Sequence, residues 1–187
     1  MGNRRQDSIR LDAKLCKDFR HPDFDKITSR YNFAIIQFEK PAPIPEGLKT
    51  LEFAKEGQKF SGPCKVASWT NIKVTDSFQK FADELSEATV EILPDEECKK
   101  AGFTDTHVCT RPVLCGVADA GAPLICSENG TDYLYGIASH YPRDYKKPKF
   151  CGGNPLSAFS LVSKIDKKWV EKTFAEADDR CKRKKVA

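Results

Sequence analysis

Residues 115–126, which read C-G-V-A-D-A-G-A-P-L-I-C, are the stretch from which the rest of the chain can be placed. In order, the stretch contains an acid, a small residue, glycine, another small residue, proline and an aliphatic pair before the closing cysteine. The residue directly after the acid Asp119 is Ala120. A methyl group has no proton to give up and no lone pair with which to attack, so position 120 cannot supply a nucleophile.

This order of residues resembles the nucleophile loop of the chymotrypsin-like, or trypsin-fold, serine proteases. In that family the residue after the Asp is the attacking Ser, and Ala120 stands in its place here. The resemblance extends from about residue 9 to about residue 176. It implies an all-β fold of two β-barrels followed by a C-terminal α-helix, in which the protease chemistry is absent.

The whole-chain composition predicts a soluble globular protein with one large domain or two small ones. The chain has 187 residues, and its longest apolar runs, such as residues 33–36, are too short to span a bilayer. The first fifteen residues are mostly polar and contain no continuous apolar core, so no signal peptide is visible. The initial Met-Gly suggests myristoylation, but Gln6 occupies the position where Ser or Thr is required.

The eight cysteines favour disulfides over a zinc site, because no C-x-x-C pair occurs and only three histidines are present. We therefore predict no metal and no cofactor. Disulfides require an oxidising compartment, and the sequon that begins at Asn129 indicates the same compartment. The sequence thus predicts a secreted glycoprotein. Because no signal peptide is visible, we interpret the chain as beginning in the middle of a fold.

The N-terminal part of the chain predicts the last strands of a first barrel. Residues 9–15 alternate apolar and polar side chains, which is the periodicity of a strand. Residues 21–24 predict a surface turn, and residues 31–38 predict a buried strand that the prolines within residues 41–45 terminate. The order H-P-x-F, then N-F-A-I-I-Q-F, then Pro resembles the family's stretch leading to its catalytic Asp. The residue at that position is Asn32.

The C-terminal part of the chain predicts a complete second barrel after a Pro-rich linker. Cys64 and Trp69 have the family's spacing, and a short helix begins at Pro94. Ser163 and Asp166 predict the start of the final helix as a capping-box-like pair. The other predicted strands are residues 87–92, 106–110, 123–127, 133–139 and 157–163. One face of the final helix is predicted to contain Ile165, Trp169, Val170 and Phe174.

These elements divide the chain into a protease-homology domain and a tail. The predicted domain is residues 1–176, made of a first-barrel remnant (1–48), a six-stranded second barrel (49–163) and a C-terminal helix (164–176). Residues 177–187 are predicted to be a basic tail. The incomplete first barrel has two explanations: the chain is a fragment of a longer secreted protein, or a partner covers the exposed surface.

Eight cysteines permit about 105 pairings, and their spacing does not choose among them. The resemblance implies the pairs Cys64–Cys126, Cys98–Cys109 and Cys115–Cys151. Cys16 and Cys181 have no counterparts in the common family pattern. Because the family's C-terminal helix packs across the first barrel, we expect these two residues to form an extra bridge. The alternative is two free thiols.

The resemblance also implies that the active site is degenerate. A neutral amide at Asn32 cannot stabilise an imidazolium, and the family's A-A-H-C segment with the catalytic His does not occur. His21, His107 and His140 lie outside such a motif and are interpreted as ordinary structural histidines. The degenerate substrate pocket is predicted to comprise Val113, Ala118, Ser139, His140, Tyr141 and Ser157.

The predicted function is that of a pseudoprotease: a non-catalytic cofactor, decoy or regulator in an extracellular proteolytic or immune cascade. Its predicted partner is a protease, a zymogen or another cascade protein, and neither nucleic acid nor membrane is expected. The first alternative is binding of a heparin-like polyanion by Lys146, Lys147, Lys149 and residues 182–185. A net charge of only +4 also fits an ordinary solvated basic surface. The remote alternative is an active serine endopeptidase.

Overall fold

The computed structural model describes residues 14–40, 50–70, 81–111, 120–140 and 156–182 of the chain, and it describes no side chains at positions 70, 81–84, 140 and 177–182. The described part is mostly β-structure. Its strands are β1 (Leu15–Arg20), β2 (Ala34–Phe38), β3 (Glu52–Phe53), β4 (Cys64–Thr70), β5 (Phe81–Ile92), β6 (His107–Arg111), β7 (Pro123–Glu128), β8 (Thr131–His140) and β9 (Ser157–Leu161). Its helices are α1 (Asp95–Lys100), a 3-10 turn (Val162–Lys164) and α2 (Lys167–Lys182).

Strands β4 to β9 form a closed barrel of six antiparallel strands. Neighbouring strands follow the order β8, β7, β4, β5, β6, β9, and β9 pairs back onto β8 to close the ring. This arrangement confirms the complete second barrel predicted from the sequence. The two-residue strand β3, which no periodicity indicated, adds to β8 in a parallel orientation.

The barrel core consists of the side chains that alternate inward along these strands. Val66, Val90, Leu124 and Phe159 are almost completely buried. Gly136 of β8 allows β8 and β9 to approach each other closely, since a Cβ atom there would lie 2.9 Å from Cβ of Phe159. A larger residue at position 136 therefore requires the strands to separate.

Two disulfides connect elements of the barrel. Cys64 of β4 is bonded to Cys126 of β7, and Cys98 of α1 is bonded to Cys109 of β6. These are two of the pairs that the resemblance implied. Cys16 is also disulfide-bonded. The predicted bridges to Cys181 and between Cys115 and Cys151 lie outside the side chains that the structure describes.

The two strands β1 and β2 form a separate antiparallel sheet. Leu15 and Phe38 are paired across it and share a face with Ile36. These three apolar side chains are 56%, 44% and 57% exposed. Within the described ranges this sheet has no third strand.

The C-terminal helix differs from its prediction at both ends. The backbone N–H of Lys168 donates to the carboxylate of Asp166 (2.9 Å), so Asp166 caps the helix while Ser163 lies in the preceding 3-10 turn. The helix continues to Lys182, whereas a tail was predicted from residue 177, because no Gly or Pro interrupts the sequence up to that point. Phe174, predicted on one face with Ile165, Trp169 and Val170, is 62% exposed. No helix in the described ranges is long and apolar enough to cross a membrane.

Candidate functional site

Ala120, at the position compared with the family's attacking Ser, lies in an exposed turn before β7. The next residue, Gly121, has a φ of +84°, a conformation that favours glycine. The backbone N–H of Gly121 donates to the carbonyl oxygen of Ala138, and the N–H of Ala138 donates to the carbonyl oxygen of Ala122, both at 2.9 Å. These bonds hold the methyl group of Ala120 beside the end of β8.

Asn32, at the position compared with the family's catalytic Asp, lies just before β2 and reaches the same end of β8. Its Nδ2 donates to the carbonyl oxygen of Ser139 (3.0 Å) and lies 3.3 Å from Oγ of Ser139. Ser139 directly follows Ala138, which bonds the turn of Ala120. The structure therefore brings positions 32 and 120 against consecutive residues of one strand, although 87 positions of sequence, from 33 to 119, separate them.

The direction of the Asn32 bond determines what position 32 can do. A carbonyl oxygen only accepts hydrogen bonds, so the NH₂ group of the Asn32 amide must face Ser139. A carboxylate in the same place would set an anionic oxygen against the carbonyl oxygen of Ser139. Asn32 therefore links the segment before β2 to the barrel through this hydrogen bond. The sequence did not indicate this contact, because a separation of 107 residues leaves no periodic signal.

A hydrogen-bonded loop presents Asn32. The carboxylate of Asp25 accepts hydrogen bonds from the backbone N–H of Ile27 and from the hydroxyl of Thr28, both at 2.8 Å. These two hydrogen bonds lower the pKa of the Asp25 carboxyl group from its ordinary value of 3.8, and the bond from the backbone of Ile27 has the larger effect. Ser29 and Tyr31 in this loop have φ values of +58° and +52°. The loop is therefore a hydrogen-bonded turn between β1 and β2.

His107 is a structural residue, as the sequence predicted. It is buried at the start of β6, and its Nε2 donates to the backbone carbonyl oxygen of Ser29 (3.1 Å). Its Nδ1 then accepts a hydrogen bond from the hydroxyl pair of Thr104 and Thr106, whose oxygens each lie 3.2 Å from Nδ1 and 2.8 Å from each other. Both ring nitrogens are engaged in fixed contacts, and one of them attaches the loop before β2 to the barrel.

His21 lies in the interior, so its prediction as part of a surface turn is wrong. Its side chain is 3% exposed because it packs among three rings. The ring stacks on Tyr31 (centroids 5.0 Å apart), and the rings of Phe33 and Trp169 pack against it (6.5 and 4.7 Å). The contact with Trp169 attaches helix α2 to the two-stranded sheet. Nδ1 accepts the backbone N–H of Asp23 at 3.2 Å.

The predicted substrate-pocket residues fall partly within the described ranges. Ser139 is bonded by Asn32 as above, and Ser157 is buried in β9 opposite Thr110 of β6. His140 ends β8 and pairs with Ala158, but its side chain is not described. Val113, Ala118 and Tyr141 lie outside the described residues.

The described residues of this site offer little reactive chemistry. Position 120 presents a methyl group, and position 32 presents a neutral amide that is already bonded to the backbone. In the described ranges, no group of three or more His, Cys, Asp and Glu side chains is placed to hold a metal ion. The arrangement can position a backbone turn and an exposed surface, and it contains no activated nucleophile among these groups.

Comparisons with known proteins agree with this geometry. The protein-family model Trypsin matches residues 3–157. Kallikrein-1 of Mus musculus is 29% identical over 182 residues, and kallikrein 1-related peptidase b5 of the same species is 28% identical over 180 residues. These matches cover 88% and 87% of this chain. The chain spans only 65% and 64% of the length of these relatives.

The fold is also similar to that of a solved structure. Mouse neuropsin, a serine protease expressed in the limbic system of mouse brain, matches with a TM-score of 0.68 and 22% sequence identity. The match covers 87% of this chain and 71% of the neuropsin chain. At this identity the likeness supports the fold.

Proposed function

The chain belongs to the trypsin family of serine proteases, and from this premise we propose that it is a non-catalytic member that acts by binding. The observation that carries the proposal is the methyl group of Ala120, held at the start of β7 by the hydrogen bonds of Gly121 and Ala122 to Ala138. Acyl transfer by this family requires an attacking oxygen at that place. A methyl group does not provide one.

The second support comes from Asn32. A triad requires a carboxylate that holds the imidazole in the correct tautomer and stabilises its cation. The Asn32 side chain is neutral, and its NH₂ group is bonded to the backbone of Ser139. The nucleophile and the orienting carboxylate are thus replaced independently, and restoring either one alone leaves the other missing.

The proposed role is that of a cofactor, decoy or regulator of a protease or zymogen outside the cell. The disulfides support a location outside the cell, because such bonds persist in oxidising surroundings. Cysteines 16, 64, 98, 109 and 126 are all disulfide-bonded. Contacts between the two sheets, such as Asn32 with Ser139, support a fold that maintains a defined surface without reactive groups. The full activity of kallikrein-1 is not assigned to this chain, because the chain spans only 65% of the length of that relative.

A covalent probe tests the absence of catalysis. We expect the purified chain to remain unlabelled by a fluorophosphonate and to leave peptide substrates intact, whereas trypsin in a parallel sample reacts with both. The variant Ala120→Ser is also expected to remain unlabelled, because a serine hydroxyl without an oriented base keeps its proton. Labelling of the wild-type chain, or cleavage that co-elutes with it through successive columns, would overturn the proposal.

A binding experiment tests the role. The folded chain is immobilised and exposed to extracellular fluid, and each captured protease or zymogen is then assayed with and without the free chain. We expect the chain to change the rate of activation or cleavage. Ala120→Arg, which adds bulk at the candidate site, should weaken this effect, and Lys99→Ala on helix α1 is the control. Retention on heparin with a steep salt dependence and no protease partner would favour the polyanion alternative.

A further inference from the structure

The hairpin that joins β7 to β8 has at its tip the single N-x-S/T tripeptide of the chain, Asn129-Gly130-Thr131. We propose that Asn129 is an N-glycosylation site whose glycan projects from the end of the barrel opposite Ala120. The inference depends on the proposed passage through the secretory pathway and is independent of whether the chain is catalytic. The tripeptide alone is a frequent chance pattern, so the argument depends on its place in the fold.

The backbone at the tip has the geometry of a tight two-residue turn. Glu128 pairs with Thr131, which leaves Asn129 and Gly130 as the two central residues. Their φ values are +52° and +78°, and two successive positive values at these positions indicate a type I′ turn. Asn and Gly are the residues that favour this turn, so the sequon fits the fold without strain.

The surroundings of the tip have room for a sugar. Asn129 and Gly130 are both exposed, and a Cβ atom built on Gly130 would meet nothing within 4 Å. No hydrogen bond to the Asn129 amide occurs within the described residues, so Nδ2 is available to form a bond. In the transfer, Nδ2 of Asn129 bonds to the anomeric carbon of a lipid-linked oligosaccharide, the lipid pyrophosphate leaves, and the amide loses one proton.

The glycan would lie far from the candidate site. Ala120 precedes the first residue of β7, and Asn129 follows its last residue. A strand of six residues is roughly 20 Å long. The sugar would therefore cover the end of the barrel where Gln58 bonds Glu128 (2.9 Å) and would leave the turn of Ala120 uncovered. An N-glycan and a partner bound at Ala120 are compatible.

The test is secretion of the chain from eukaryotic cells behind an appended leader, followed by peptide N-glycosidase F. We expect the secreted wild type to shift in electrophoretic mobility on enzyme treatment. The conservative variant Thr131→Ser should keep the shift, and Thr131→Ala should lose it while it retains the Asn-Gly turn. Asn129→Gln should also lose it. Digestion in heavy-oxygen water introduces a heavy oxygen at the Asn129 side chain as the enzyme converts it to Asp. This mass label distinguishes glycan removal from deamidation of Asn129 that occurred before the digestion.

Secreted wild-type chain without a shift would overturn the inference, as would a shift that persists in Thr131→Ala. Either result leaves the binding proposal intact, because that proposal depends on Ala120. Conversely, a glycosylated chain that a fluorophosphonate labels would overturn the proposed function and leave the glycan in place.

Discussion

At position 32 the exchange of one NH₂ group for an oxygen removes the donor of a hydrogen bond. The Asn32 amide donates to the carbonyl oxygen of Ser139 at 3.0 Å, and the site is partly buried. An aspartate has nearly the same shape, but in its ionised form it only accepts. The residue that most closely restores the family's triad therefore lacks the donor that the carbonyl oxygen of Ser139 requires.

We predict that Asn32→Asp destabilises the fold by about 1–3 kcal/mol at neutral pH, because two acceptor oxygens then face each other. The repulsion raises the pKa of the new carboxyl group in the folded state. Its destabilising effect is therefore present above that pKa and decreases as the pH falls through it, when the protonated acid can donate to Ser139. Urea denaturation at several pH values measures this. Equal stability of variant and wild type at neutral pH would show that the hydrogen bond between Asn32 and Ser139 contributes nothing to the free energy of unfolding.

The chain offers a matched pair of glycines for testing close packing. A Cβ at Gly136 would lie 2.9 Å from Cβ of Phe159 and 3.2 Å from the carbonyl oxygen of Ser160, whereas one at Gly62 would meet nothing within 4 Å. We predict that Gly136→Ala lowers the free energy of unfolding by about 1–3 kcal/mol. Gly62→Ala should be neutral or slightly stabilising. Similar midpoints for both variants in denaturation would contradict the close approach of β8 and β9.

Among the elements, the loop between β1 and β2 makes most of the described polar contacts between the two-stranded sheet and the barrel. Ser29 accepts from His107, Asn32 donates to Ser139, and Arg30 lies 4.0 Å from the carboxylate of Asp105. The exposed ion pair contributes little, and the two buried or partly buried hydrogen bonds contribute more. The loop is thus the element that fixes position 32 relative to position 120.

The pH dependence of this loop follows from Asp25. The backbone N–H of Ile27 and the hydroxyl of Thr28 stabilise its ionised form and lower its folded pKa below the ordinary 3.8. A lowered pKa contributes stability that is present above the unfolded pKa and is lost as pH falls through the folded one. We predict that Asp25→Ala increases amide exchange of residues 25–31 at neutral pH. In acid below the folded pKa, the difference between variant and wild type should decrease; a difference that keeps its full size there would contradict this origin.

The barrel elements could be predicted from the sequence, and the contacts that build the site could not. All six barrel strands were predicted: β4 from the family's spacing of Cys64 and Trp69, and the other five, with the short helix α1, from the residue patterns of their own segments. β3 was not predicted because two residues have no period. His21 was misplaced because H-P-x-F is typical of a turn, whereas burial by Trp169 depends on a helix nearly 150 residues away.

At the scale of the whole molecule, the two sheets are stabilised in different ways. The barrel is closed on itself and contains both described intra-barrel disulfides, so its hydrogen-bonding edges are mutually paired. The sheet of β1 and β2 is stabilised by the hydrogen bond from Asn32 to Ser139 and by the ring contact between His21 and Trp169. Cys16 of β1 adds a disulfide bond. The outer face of this sheet has Leu15, Ile36 and Phe38 exposed, which a lone two-stranded sheet cannot bury.

Two neighbouring isoleucines of β2 lie on opposite faces of this sheet, so the same substitution at each position tests one face at a time. Ile36 is 57% exposed, whereas Ile35 is partly buried on the opposite face. We predict that Ile36→Thr changes the free energy of unfolding by less than about 0.5 kcal/mol, the range of ordinary surface substitutions. Ile35→Thr should cost about 1 kcal/mol or more, since it buries a hydroxyl among apolar atoms.

Binding of a hydrophobic dye to the folded chain supplies the second readout, because an uncovered apolar face attracts such dyes. Ile36→Thr should lower the dye fluorescence, and Ile35→Thr should not, provided that both variants remain folded by circular dichroism. If Ile36→Thr is as destabilising as Ile35→Thr and leaves dye binding unchanged, then the face is covered in solution. In that case the two-stranded sheet has a partner, and its stability would depend on the concentration of that partner.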